Sequence, residues 1–467
     1  MTKKIIFPVT RSHGAFRVDV EIEGGQVVDA WIGGMLFRGF EIIMAGRDPR
    51  DAALFLQRIC GICSSAHAVA AAMAQQQAFR VEPTPIGQHL TNLIFAADII
   101  QNHLRHFYLL ALYDYAIGPE MSPYTPRQKG DFRLPKTVND ELLRHAEQGL
   151  KMAVRAHEML AVFGAKVPHQ QTIMASGVTE RTSVDRLKAY GGILREITEF
   201  VEQIHSSDIM TIADYYKDYY DIGTGYGNLL SYGMFPGPAN GQRAFKAGVI
   251  FNRGTVVETL DAAQITEAVQ FSWYRDEQVK RKPAEGVTVP DIDKPDAYTN
   301  VKAPRYQSLA FESGPLARAW INGDYRRGIS VMDRLVARGR EVLKICRLAE
   351  EWLAQVIPGS PSLRPYTPPS AGEGIGLTDA MRGALGHWFS YEDNKITHYQ
   401  VITPSTWNFS PRDAEGKRGP VEQALIGVPV TDPENLIEVG RVVRSFDPCF
   451  TCAVHALQVP NAKPIFI

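Results

Sequence analysis

A mainly helical fold with small β elements, built as one large domain over residues 1–467, is what this sequence predicts. Three observations carry that expectation. Four long stretches, 86–117, Glu141–Gly164, Ser183–Tyr220 and Met332–Val356, show helical apolar periodicity or apolar runs too long for strands. Alternation of apolar and polar residues is confined to segments near the two ends of the chain. No internal repeat and no clean linker divides the chain, whose length allows one large core.

The elements follow in order. Phe16, Val18, Val20 and Ile22 alternate with Arg17, Asp19, Glu21 and Glu23; Gly24 and Gly25 make a turn, and Val27 to Ile32 return, which is a hairpin. Arg38-Gly39-Phe40-Glu41 leads into a polar turn, Gly46 to Arg50. From Asp51 the pattern is helical until Gly61 breaks it. Ala66 to Phe79 is alanine-rich and carries no charge apart from His67, so it predicts a buried helix. Asp98, His103, Arg105, His106 and Asp114 interrupt 86–117, so no run of about 18 uncharged apolar residues is there to span a bilayer, and a buried core helix fits. Thr182 with Asp185 reads as a capping box for the next helical stretch. Residues 276–307, rich in Pro, Lys and Asp, read as a surface loop, and the Pro/Gly/Ser-rich 358–379 as a second one. Strands Trp388–Tyr391 and Lys395–Thr403 flank Asp393-Asn394. A short helix over Leu436–Arg444 delivers the final motif.

Composition narrows the function classes. Apolar residues at 45% and charged residues at 22% suit a soluble globular chain. A formal net charge of −1 without basic runs leaves no electrostatic footprint for nucleic acid or an anionic membrane. Five cysteines, four of them in CxxC pairs, do not make a secreted disulfide framework. The N-terminal apolar run, Ile5-Ile6-Phe7, meets Pro8 at once, so a signal-peptide core is lacking and any export depends on another chain.

The chemistry gathers at two motifs. Asp447-Pro448-Cys449-x-x-Cys452-x-x-His455 spaces two thiols and an imidazole three apart, which one helical face can present together. Arg58-x-Cys60-Gly61-x-Cys63-x-x-x-His67 supplies a second pair near the other end. A lone CxxC is a weak signal, shared by zinc sites and redox disulfides. Four thiols from the two ends would close one tetrathiolate site for a soft or borderline metal. Cys346, alone on an amphipathic helix, reads as a small buried hydrophobe. Gly223-Thr224-Gly225-Tyr226-Gly227 lacks the lysine and the strand–turn–helix setting of a phosphate loop.

With both signatures in order, the chain resembles the large subunit of a nickel–iron hydrogenase over its whole length. Short pieces between them are similar to the family too: Arg38-Gly39-Phe40-Glu41, Gly46-Arg47-Asp48-Pro49, Lys302-Ala303-Pro304-Arg305, Gly314-Pro315-Leu316-Ala317-Arg318, Arg382-Gly383-Ala384-Leu385-Gly386-His387, and Pro404 to Asn408 with Ser410 to Asp413. The resemblance implies that Cys60, Cys63, Cys449 and Cys452 hold nickel, and that Cys63 and Cys452 bridge to an iron carrying CO and two cyanides. It implies magnesium on Glu41, the Val401 carbonyl and His455. It places Arg382 over the open face of the metals, Asp447 as its holder and His67 beside a bridging thiolate. The implied activity is reversible heterolytic cleavage of H2, most naturally H2 uptake, with Cys449 as first proton acceptor. A four-cysteine zinc site, a low-turnover H2 sensor and a non-catalytic paralogue are the rival readings.

The departures from the family pattern are local. His13, in Thr10-Arg11-Ser12-His13-Gly14, stands where many members carry a proton-relaying glutamate, and an imidazole can relay protons too. Asn102 stands where an aspartate often lies under the arginine, and Met381 where a proline often precedes it. With four cysteines committed and Cys346 alone, the chain has no thiols for an iron–sulfur cluster, so an iron–sulfur small subunit is expected as partner, passing electrons to a membrane cytochrome or another acceptor. The resemblance also implies a maturation endopeptidase that removes residues 456–467 after His455. It suggests membrane association, on the periplasmic side through the small subunit's signal, with a cytoplasmic enzyme as the alternative.

Overall fold

The Pro85–Arg105 helix runs through the middle of the molecule. Thr84 caps it by accepting from the Gly87 N–H, Pro85 takes the first position, and every residue from Gly87 to Leu104 is buried. It packs between the Lys136–Gly164 and Val331–Gln355 helices, and Val184–Phe200 completes the bundle. A helix wrapped on all sides carries no solvent-facing stripe, and its polar residues, Asp98, Gln101, Asn102 and His103 among them, are buried with the rest. It continues as wider π-helical turns over His106–Ala111, and the Val184–Phe200 helix does the same over Val201–His205. This computed structural model describes residues 2–122, 129–238, 242–276 and 280–453, and the backbone of 456–457. Among them no helix is long and apolar enough to cross a membrane.

Two three-stranded antiparallel sheets lie apart from the bundle. The expected hairpin spans Phe16–Glu23 and Gln26–Gly34, and a strand not foreseen from the sequence, Thr2–Ile6, joins its edge. The second sheet is larger than expected. Ala371–Ala380 pairs with Gly383–Glu392, which pairs with Lys395–Ile402 across Asp393 and Asn394, both in the left-handed region that a two-residue turn needs.

The loop expected over 358–379 therefore ends at Ser370. Its glycines misled because they belong to a strand. A Cβ on Gly372, Gly374 or Gly376 would lie 2.5, 2.0 or 1.9 Å from the carbonyl oxygens of Ala78, Ala74 and Ala70. Those alanines stand four apart on one face of the Ser64–Phe79 helix. Two strand residues advance roughly 6.7 Å and four helical residues about 6 Å, so the two stripes stay in step. The helix sits directly on the strand backbone.

Two further expectations need correction. The 276–307 surface loop ends in a core strand, Ala303–Tyr306, paired with Ile265–Ala268. Lysine there does not mean exposure: Lys294 is buried, its ammonium donating to the carbonyls of Val269 and Tyr274 at 2.6 and 2.9 Å. The cap of the Val184–Phe200 helix is Ser183, which accepts from Arg186 N. Thr182 instead donates to Ile357 O and accepts from Gly359 N, tying in a distant loop. Cys346 is buried as expected, and burial pushes its thiol up to about 12.

Candidate metal centre

The first cysteine pair is fixed by its place in the helix start. A short 3-10 turn, Gln57–Ile59, ends at extended Cys60, and Cys63 is the N-cap residue of the Ser64–Phe79 helix. The central helix braces this loop: Asp98 accepts from Ser65 N at 3.0 Å, and Gln101 donates to Ile62 O at 3.2 Å. Burial raises the Asp98 carboxyl to about 6, against the hydrogen bonds it accepts from Ser65 and Gln101.

The second pair arrives on a single helical turn, Phe450–Ala453, after Asp447 bends the chain with a left-handed φ of 56°. Cys449 N donates to Ser405 Oγ at 3.1 Å. The N-terminal segment lies alongside: His13 N donates to Pro448 O and Phe450 N to His13 O. Gly14 makes that approach feasible, because its φ is +84° and a Cβ there would meet Thr451 N at 2.7 Å. Arg38 ties the two pairs together, its guanidinium donating to the carbonyls of Arg58 and Ile59 on one side and Thr451 on the other.

The four Sγ atoms come within 4.8 Å of one another, all buried and none in a disulfide. Cys60 and Cys449 are 3.5 Å apart, Cys63 and Cys452 3.0 Å, and Cys449 and Cys452 3.3 Å. Thr451 Oγ1 touches the Cys449 and Cys60 sulfurs at 3.1 and 3.5 Å. Packed thiols hold their protons unequally. Burial pushes Cys63 and Cys452 well up. At Cys60 burial acts the same way, but hydrogen bonds from the other three sulfurs, with the Arg382 charge, hold it well down. Four buried, unbridged sulfurs at this separation fit one thiophilic ion, which would displace their protons.

Arg382 occupies the tight turn between the Ala371–Ala380 and Gly383–Glu392 strands. It donates to Asn102 Oδ1 at 2.6 Å, and Asn102 donates to Asp447 Oδ2 at 2.9 Å, so the amide bridges the charged pair. Arg382 Nε is 3.1 Å from Asp447 Oδ1, within ion-pair range but off a hydrogen-bond line. Among the described residues Nε and Nη1 therefore make no hydrogen bond, and the group is close enough to Cys449, Cys63 and Cys60 to feel their charge. Burial works to lower the Arg382 pKa, yet Asp447 and those sulfurs raise it well above its ordinary value. Asp447 is held well below the carboxylate range, Arg382 and neighbouring His106 and Arg338 overcoming burial. His13 lies near the same group, and burial with the Arg382 charge pushes its imidazole down to about 4. It is therefore neutral at pH 7, able to pass a proton but not to keep one.

The other expected residues fall as follows. His67 is buried one helical turn after Cys63, its Nδ1 3.2 Å from His387 Nε2. Glu41 accepts from Val401 N at 3.0 Å, from Lys302 at 3.2 Å and from Thr288. Glu41 and Val401 thus meet, with Glu267 nearby, where burial raises the carboxyl to about 7. His455 lies outside the described residues. The bracing roles of Asp98, Gln101, Ser405, Thr451 and the Arg38 side chain were not foreseen. Only Arg38 and Ser405 had a signal, as parts of short family motifs.

A family model described as nickel-dependent hydrogenase matches residues 38–129, 117–328 and 322–455. The chain is 38% identical over 496 residues to the large subunit of the periplasmic NiFeSe hydrogenase of Desulfomicrobium baculatum, covering 98% of this chain and 96% of that one. It is 30% identical over 566 residues to the hydrogenase-2 large chain of Escherichia coli (strain K12), covering all of both. The reduced Ni-Fe-Se hydrogenase of D. vulgaris Hildenborough superposes with a TM-score of 0.94 at 38% identity, covering 97% of this chain and 100% of that one. This chain has cysteine at all four cluster positions. A buried four-sulfur cluster beside a buried arginine, on a fold shared end to end with these enzymes, makes the chain a hydrogenase large subunit of the nickel-dependent hydrogenase family.

Proposed function

We propose that Cys60, Cys63, Cys449 and Cys452 hold nickel, that Cys63 and Cys452 also hold an iron bearing CO and two cyanides, and that this pair supplies heterolytic cleavage of H2 when bound. The observation that carries this is the convergence of four sulfurs from opposite ends of the chain within 4.8 Å beneath Arg382. Cys449 Sγ takes the proton first. Arg382 supplies a permanent positive charge close enough to Cys449, Cys63 and Cys60 to interact with them, in a buried site where such charge acts strongly. Asp447 and Asn102 hold that guanidinium in place. His13 passes the proton outward.

Glu41, the Val401 carbonyl and His455 would hold magnesium, an ion suited to hard oxygen donors, with Lys302 sharing the Glu41 carboxylate. With no thiols to spare for a cluster, electrons leave through an iron–sulfur small subunit and from it to a cytochrome or other acceptor. One relative is named as periplasmic, which favours export with that subunit over attachment through this chain. The H2-sensor alternative gains nothing from the comparisons and is set aside. Metal analysis of the purified enzyme, with H2 oxidation assayed on an artificial acceptor, tests the reading. Nickel and iron near one each per chain are expected; zinc alone overturns it.

A maturation endopeptidase is part of the same reading, cutting after His455. Before the cut, the backbone of Ala456–Leu457 pairs antiparallel with Leu36–Phe37, next to the Arg38 clamp. Intact-mass measurement of active, nickel-loaded protein should show a chain ending at His455. A full-length mass would sink the processing claim.

A further inference from the structure

The loop that carries His13 is closed by its own hydrogen bonds. Val9 N donates to Phe16 O at 3.1 Å, and Ser12 Oγ donates to Val9 O at 2.8 Å. His13 lies beside Cys449, joined to that segment by two backbone bonds: His13 N donates to Pro448 O, and Phe450 N donates to His13 O. Two bonds are little to keep a loop in register with the far end of the chain. The loop is also strained. Arg11 has a φ of 53°, a left-handed conformation that a non-glycine residue keeps only where its surroundings enforce it.

Those surroundings meet at one buried carboxylate. Asp114 ends the 3-10 turn Leu112–Asp114, which follows the π-helical end of the central helix. Arg444 grips both of its oxygens, Nε on Oδ2 and Nη2 on Oδ1, each at 2.6 Å. Arg11 Nη2 donates to the same Oδ1 at 2.5 Å, and Arg11 Nη1 donates to Leu110 O at 2.7 Å. Arg444 belongs to the Ile437–Ser445 helix, which leads into Asp447 and Cys449. Its Nη1 reaches Thr10 O at 3.3 Å, and its carbonyl accepts from Asp447 N at 3.0 Å and from His106 Nε2 at 2.7 Å. Burial works to raise the Asp114 carboxyl, yet Arg11 and Arg444 hold it below its ordinary value, so it stays ionised through the neutral range. Without it, two positive groups would face each other in a buried place.

We propose that Arg11 is a positioning residue for proton exit: through Asp114 it locks the His13 loop to the helix that delivers Cys449, and so sets the register in which His13 meets that cysteine. This rests on the reading of His13 as the group that passes the proton outward. His13 is two residues from one guanidinium and Cys449 five residues from the other, so both hang from the same carboxylate. Proton transfer needs heavy atoms within hydrogen-bond reach, and a loop that slides by about 1 Å loses much of the step.

Arg11→Met is the informative variant, because Asp114 keeps both oxygens on Arg444 and no buried carboxylate is left alone. With nickel and iron per chain unchanged, amide hydrogen exchange of the purified enzyme, read by mass spectrometry, should quicken in peptides covering His13 and Phe450 and stay as it was over Ser64–Phe79. Turnover should fall a few-fold, to the level of His13→Ala, and the double variant should be no slower than either single one, a coupling that a merely structural role would not produce. Arg11→Lys, which keeps a cation against Asp114, should recover part of both changes. Unchanged exchange at His13 and Phe450 overturns the lock, and effects that multiply in the double variant overturn its link to His13. If His13→Ala alone matches the parent, the relay reading falls, whereas quickened exchange in Arg11→Met still upholds the lock by itself.

Discussion

The two cysteine pairs reach one cluster by different means. Cys60 and Cys63 stand at the head of a helix that lies bare on a strand, braced from behind by Asp98 and Gln101. Cys449 and Cys452 ride on one helical turn, held by Ser405, by the backbone of His13 and by Arg38. One half is part of the scaffold; the other is docked against it. A glycine in each half makes the contrast plain. Apart from its chain neighbours, Gly61 has no atom of the described residues within 4 Å of where a Cβ would sit, whereas Gly14 is pressed against Thr451 with a left-handed backbone. The scaffold half tolerates change within its loop, and the docked half depends on the surface that receives it.

The largest effect should ignore this contrast. Cys60→Ser in one half or Cys449→Ser in the other is expected to abolish both nickel binding and H2 oxidation, since a hydroxyl is a poor substitute for a thiolate. Near-parental activity with nickel bound, in either variant, would remove the ligand assignment. Next comes Arg382→Lys, which keeps the charge but loses the planar fork. Turnover should fall on the order of 10²-fold or more, as when a preorganised donor is lost, with metal content unchanged. Unchanged kcat would end the proposed role above the sulfurs. The contrast itself is tested by Gly14→Ala beside Gly61→Ala. The first should cost about 1–3 kcal/mol of stability and lower nickel per chain, the second within about 0.5 kcal/mol of none. Thermal melts and nickel analysis of both read this out, and equal behaviour would erase the distinction. Smallest is His13→Ala, a few-fold slowing of turnover and of H/D exchange with solvent, reversed in His13→Glu. If both variants match the parent, protons leave by another route.

The site's sulfurs were legible because chemistry dictates their spacing: two CxxC pairs announce themselves wherever the fold puts them. Arg382 and Asp447 were legible only by family resemblance, since nothing local in the sequence distinguishes them from surface charges. The bracing roles were not legible, even where Arg38 and Ser405 fall within family motifs. Asp98 was read as an interruption in an apolar run, yet it accepts from the first turn of the helix that carries Cys63. Thr451 looked like a spacer between two ligands, yet its hydroxyl touches two sulfurs. Such roles depend on what lies opposite, which periodicity does not encode. For the fold, the long helices were found because burial on one face leaves a period and burial on all faces leaves an apolar-rich run too long for a strand. The Ala371–Ala380 strand was missed because glycine at alternate positions carries no apolar signal, and its meaning lies in the alanines some 300 residues earlier.

That glycine-on-alanine seat also has a consequence in time. The strand that completes it ends at Ala380 and leads straight to Arg382, so one hairpin seats the Ser64–Phe79 helix and brings Arg382 beside it, ahead of Asp447, which pairs with the guanidinium. A growing chain possesses this assembly once it has been made to Ile402, before Cys449 and Cys452 exist. Contacts spanning 389 residues, as between Cys60 and Cys449, are the slowest to close. The order of synthesis is then an order of construction: a receptacle with two sulfurs and an arginine comes first, and the later segment, bringing Asp447, Cys449 and Cys452, shuts it. Any metal that must be delivered has an interval in which the doorway is built but still open.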